Sequence, residues 1–105
     1  MTTAHTHLIF KGKNSSLLKH SIPFILLYFN TGNRFQNVLI TIGETVADVA
    51  TTNTNSPAVC AYHPGQPDDV ERFNCSQRMY GRYVRVAKIN HNSWLNLYEI
   101  EVIGF

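Results

Sequence analysis

The chain has little of what usually carries catalysis or membrane insertion. Its 105 residues include two cysteines, one tryptophan and only 15% charged side chains. It lacks a glycine-rich phosphate loop, an H-E-x-x-H pair of zinc ligands, and any nucleophile set beside a base and an orienting third group. These absences argue against an enzyme. No apolar run approaches the roughly 18–20 residues that span a bilayer. Neither a sustained helical period nor an internal repeat is found, and a hydrophobic share of 44% excludes a disordered chain. Carboxylates are missing from residues 1–33, where Lys11, Lys13 and Lys19 give a formal +3, whereas residues 34–105 sum to −1. The positive excess therefore sits in a leader-like segment and not on a folded face that meets phosphate, so nucleic acid is set aside as a partner.

What remains reads as short strands separated by turns. Residues 1–21 show no sustained period and are expected to be irregular or mobile. His5 and His7 are two apart, but the neighbourhood offers no further ligands for a metal. The most apolar stretch, Ile22 to Phe29, follows Lys19 and His20 as the core of a signal peptide would. It begins late, lacks a small-x-small cleavage site and runs into Asn30-Thr31-Gly32-Asn33, which suits a buried strand better. Phe35 to Ile42 is a second strand ended by Gly43, and the Thr-rich segment Glu44 to Pro57 is an edge strand or a surface loop. Val59 to Tyr62 and Val70 to Cys75 flank a Pro/Gly/Asp turn. Tyr83 to Ile89 alternates as a half-exposed strand, with Arg85 and Lys88 expected on the solvated face, and Leu95 to Phe105 closes the chain as a last strand. The pattern predicts an all-β, antiparallel sandwich over residues 22–105.

Cys60 and Cys75 lie on either side of the Pro/Gly/Asp turn. A hairpin closed by that turn would bring them within disulfide reach, adding about 3 kcal/mol in an oxidising compartment. Two unpaired buried thiols are the alternative in a reducing one. Asn74-Cys75-Ser76 and Asn14-Ser15-Ser16 both match the glycosylation tripeptide, which on its own arises often by chance.

Three blocks carry a resemblance. Cys60…Phe73-Asn74-Cys75…Met79-Tyr80-Gly81-Arg82-Tyr83-Val84-Arg85-Val86 resembles the "C…F-x-C…M-x-GRYV-x-V" core of the F-type lectins (fucolectins), within the discoidin or factor 5/8 C-type group. Leu95 to Val102 is similar to the family's final "L-x-L-C-E-V-E-V" strand, and Arg34 to Gly43 to its "R-x-x-x-x-x-I-x-I-G". The resemblance covers roughly residues 22–105. It implies a secreted jelly-roll sandwich, truncated on its N-terminal side, that binds fucosylated glycans or another carbohydrate through loops at one end. Arg34 matches the second of the family's two sugar-contacting arginines. The first arginine, its aspartate and the paired cysteines have no counterpart in Tyr28 to Asn33, and none of His5, His7 or His20 stands in the context of the family's histidine. A structural calcium is implied as cofactor, with Glu99 matching its carboxylate; one carboxylate without the family's N-terminal loop falls short of the six to eight oxygens calcium takes.

Around Arg34, the rings of Phe29, Phe35 and Tyr62 are candidates for the apolar wall that faces a sugar's C–H surface, or are simply packed in the core or rim. Trp94 is a binding platform or, preferably, a lid on the core. Tyr83 is expected to bury its ring, and Asp68, Asp69 and Glu71 to be solvated in a loop. Two further readings stay open: a discoidin-like module that engages protein or phospholipid through apolar loop tips, and a non-binding fragment. Strands missing relative to the family predict an unpaired edge and homo-oligomerisation.

Overall fold

A computed structural model of the chain describes residues 7–11, 22–29, 37–64, 70–89 and 97–103. Seven strands and one helical turn occupy them: β1 (His7–Lys11), β2 (Phe24–Phe29), β3 (Val38–Gly43), α1 (Val46–Val49), β4 (Val59–His63), β5 (Val70–Asn74), β6 (Tyr83–Lys88) and β7 (Leu97–Ile103). They form a four-stranded sheet, ordered β1-β6-β3-β4, and a three-stranded sheet, ordered β5-β2-β7. Every pairing is antiparallel. The all-β sandwich expected from the sequence is therefore the fold.

The core lies between the sheets. Ile25, Leu27 and Phe73 meet Val38, Ile40, Ile42, Val84 and Val86, joined by Ile22 and Met79 from beyond the strand ends. The period of two explains which residues enter: in β5 the buried Phe73 stands between exposed Arg72 and Asn74. β2, the apolar stretch that could pass for a leader, is the central strand of its sheet.

β3 is buried along its whole length. Its inner face meets the other sheet, and part of its outer face is roofed by the Thr-rich segment. That segment takes the surface-loop alternative and contains α1, a single turn too short to leave a helical period in the sequence. Thr45 caps it, its Oγ1 accepting from the Asp48 N–H at 3.0 Å while Asp48 Oδ2 accepts from the Thr45 N–H at 3.2 Å. The cap holds Val49 fully buried against β3, where its carbonyl accepts from Thr41 Oγ1 at 2.9 Å. Thr45→Ala should cost about 1 kcal/mol, measured as a lower urea midpoint; an unchanged midpoint would mean that α1 is held by Val49 packing alone.

Four expectations are corrected. Within the segment read as irregular, His7–Lys11 forms β1, which pairs with β6 from Leu8↔Val86 to Lys11↔Tyr83. Its Leu8-Ile9-Phe10 run does not alternate with polar residues, and an edge strand needs only one partner. Arg85 and Lys88 do not share a solvated face. Three residues apart on a strand they point to opposite sides: Lys88 follows Val84 and Val86 to the inner face and is only 5% exposed, while Arg85 lies half-buried under the α1 segment. Arg85 Nη1 donates to the carbonyls of Thr51 at 2.8 Å and Val49 at 3.4 Å. Glu71 is not a solvated loop residue, since it lies half-buried on β5.

The fourth correction concerns the cysteines. The Cys60–Cys75 disulfide forms, but β4 and β5 are not a hairpin and belong to different sheets. The bond joins the four-stranded sheet to the end of β5 in the three-stranded one. The backbone follows it across, with the Ser76 N–H donating to the Cys60 carbonyl at 3.1 Å and the Cys75 N–H to that of Pro23 at 2.9 Å.

Candidate functional site

The strand register brings several strand ends to one end of the sandwich. In the four-stranded sheet Val38 pairs with His63 on one side and with Lys88 on the other, so the start of β3 meets the ends of β4 and β6. In the three-stranded sheet Tyr28 pairs with Val70 and Phe29 with Leu97, so the end of β2 meets the starts of β5 and β7. The strand ends that flank residues 30–36, 65–69 and 90–96 thus lie together.

Polar side chains reach inward there. Cross-strand partners share a face, so His63 and Lys88 lie with Val38 on the inner face of their sheet. From the opposite sheet Glu71 approaches, its Oε1 standing 4.0 Å from His63 Nε2. The His63 ring also meets Phe73 edge-on, with centroids 6.1 Å apart. Burial holds the Lys88 ammonium below the usual lysine range, because desolvation disfavours its charged form. A half-buried imidazole, a carboxylate and a desolvated ammonium therefore close the core at this end, where a sandwich ordinarily places apolar residues.

Asn37 fixes the rim. Its φ of 59° is left-handed, a region asparagine tolerates better than most residues. Its carbonyl accepts from the Ile89 N–H at 2.9 Å, and its Oδ1 accepts from the Tyr62 hydroxyl at 3.1 Å. Asn37 thereby ties the start of β3 to β4 and to the residue after β6. Tyr62 packs with Leu39, Ala87 and Ile89 on the outer face, as the rim packing residue that was one of its two expected roles.

No family model, curated protein sequence or solved structure matches the chain. The site is therefore judged on its own residues. Arg34, Phe35, Asp68, Asp69 and Trp94 lie outside the described residues. Glu99 pairs with Tyr28 in register, and its side chain lies outside the described residues. Among the described residues no group of three His, Cys, Asp or Glu side chains is placed to hold a metal ion. Nor is any helix among them long and apolar enough to cross a membrane.

His63, Glu71 and Lys88 were missed as site residues by sequence reasoning. His63 reads as part of a Pro/Gly turn and Lys88 as a solvated base. Parity along β6 was the available signal for Lys88, since it shares a face with Val84 and Val86. Chemically the described residues of this end bring an imidazole, a carboxylate, an ammonium and the Phe73 ring to the inner faces of the two sheets.

Proposed function

We propose that this chain is a carbohydrate-binding module of F-type lectin character, taking a fucosylated glycan or a related sugar at the end of the sandwich that carries His63. The observation that supports this most is topological. The strand ends flanking residues 30–36 converge on those flanking 65–69 and 90–96, at the end that carries His63, Glu71 and Lys88. An arginine supplies paired planar donors to sugar oxygens, and aromatic surface covers the C–H face. The disulfide supports extracellular placement, because such bonds persist in oxidising compartments. Calcium, with Glu99 as a ligand, belongs to this proposal as a structural ion.

Calorimetric titration with L-fucose tests it. Saturable heat with Kd of about 1 mM, roughly −4 kcal/mol, is expected. Arg34→Ala should weaken binding by about ten- to a hundredfold, the loss of charge-assisted hydrogen bonds worth about 1.5–3 kcal/mol. Absence of heat well above that concentration removes sugar binding from the chain. Co-sedimentation with liposomes under the same conditions would instead favour a lipid-engaging discoidin-like module.

A further inference from the structure

The tripeptide Asn74-Cys75-Ser76 gains context from the fold that its pattern alone lacks. Asn74 closes β5, an edge strand of the three-stranded sheet, and its side chain is exposed on the outer face. Arg72, on the same face and stacked over the Phe24 ring at 3.8 Å, donates through Nε to Asn74 Oδ1 at 2.8 Å. Among the described residues no hydrogen bond is made by Asn74 Nδ2, and the Ser76 side chain is exposed as well. The acceptor nitrogen and the hydroxyl residue of the motif both face solvent.

The folded backbone between them is held fast. Cys75 is bonded through sulfur to Cys60, its N–H donates to Pro23, and the Ser76 N–H donates to Cys60. An enzyme that must draw this tripeptide into its own cleft would have to break all three ties. Cys60 precedes Cys75 by 15 residues and so is already made when Cys75 emerges.

We infer that Asn74 is an N-glycan acceptor, loaded before the Cys60–Cys75 bond closes, so that disulfide formation and glycan transfer compete for one tripeptide. The co-reactant is a lipid-pyrophosphate-linked oligosaccharide. Asn74 Nδ2 attacks the anomeric carbon, a C–N bond forms, the C–O bond to pyrophosphate breaks, and the amide proton leaves with the departing lipid pyrophosphate; nothing is oxidised or reduced. A glycan at this place also screens the β5 edge, whose unpaired backbone groups would otherwise invite pairing with another chain. The inference requires passage through a secretory compartment but not sugar binding, so the titration with fucose can fail without touching it.

The test directs the full chain, behind a cleavable leader, into the secretory pathway of a eukaryotic cell. A mobility shift reversed by peptide-N-glycosidase is expected, with the residue 74 peptide carrying the glycan by mass spectrometry. Asn74→Gln and Ser76→Ala should each abolish modification of that peptide, and Asn14→Gln should leave it intact. Cys60→Ser should raise the occupied fraction at Asn74 while leaving occupancy at Asn14 unchanged, which separates release of the local tie from general misfolding. An unmodified peptide in the native chain overturns the assignment, even if Cys60→Ser becomes occupied. Equal occupancy at Asn74 in the two chains, or an equal rise at Asn14, overturns the competition.

Discussion

Reducing the Cys60–Cys75 bond should lower the free energy of unfolding by about 3 kcal/mol, the value expected for a cross-link across a loop of this size. That is a large part of the roughly 5–15 kcal/mol on which small domains stand. The location of the bond raises its importance. Cys60 is buried in the inter-sheet core, and its partner follows the last residue of β5, so the cross-link joins one sheet to the other across the edge of the sandwich. Without it the denatured chain gains freedom, while the native sheets keep Phe73 and Met79 as packing near that edge. Two changes in a urea titration follow: a lower midpoint, and a steeper slope because the unconstrained denatured chain exposes more surface. Reduction at neutral pH is preferable to Cys60→Ala, which would add a cavity to the loss of the cross-link. Identical titrations for oxidised and reduced protein would show that the core alone holds the two sheets together.

Gly81→Ala should be nearly as damaging. Gly81 is buried, and a Cβ built on it would stand 2.5 Å from the Gly43 carbonyl oxygen and 2.7 Å from its carbon. The obstacle is the backbone at the end of β3, which cannot rotate aside as a side chain would. Relief requires β3 and β6 to part at Gly43↔Tyr83, the last pair of their ladder. Overpacking typically costs 1–3 kcal/mol, and this contact belongs at the upper end, partly offset by about 0.4–1 kcal/mol from stiffening the unfolded chain. A net loss of roughly 2–3 kcal/mol corresponds to a fall in Tm of about 10 °C or more. Gly43→Ala is the internal comparison. Its new Cβ would meet Asp48 Cβ at 2.7 Å and Val49 Cγ1 at 3.2 Å, atoms of the single turn α1, which can shift outward at less cost. Gly81→Ala as stable as the native protein, or less harmful than Gly43→Ala, would contradict this account of the two glycines.

Much of the fold could be read from the residues because its strands are local signals. Ile22 to Phe29, Tyr83 to Ile89 and Leu95 to Phe105 each contain a strand of the structure, with ends displaced by a few residues. β1 escapes such a reading because its three adjacent apolar residues do not alternate, and α1 because one turn has no period. At the site, resemblance drew attention to Arg34 and Glu99. Parity marks Lys88 alone; that it lies at one end with His63 and Glu71 is not legible, since those residues come from three strands in two sheets and meet only through register.

By itself the sequence determined the class of this protein and several of its strands: that Val70 to Asn74 and Phe24 to Phe29 belong to sheets, and that two cysteines suffice for one bond. Those properties depend on side-chain chemistry and a period of two, which neighbouring residues specify between them. Tertiary structure alone decided that the bond links sheets instead of closing a hairpin, that Arg85 is roofed by α1, and that Gly81 must lack a side chain. The physical reason is that each of these depends on what lies opposite, and strand order, unlike strand identity, is set by long-range packing.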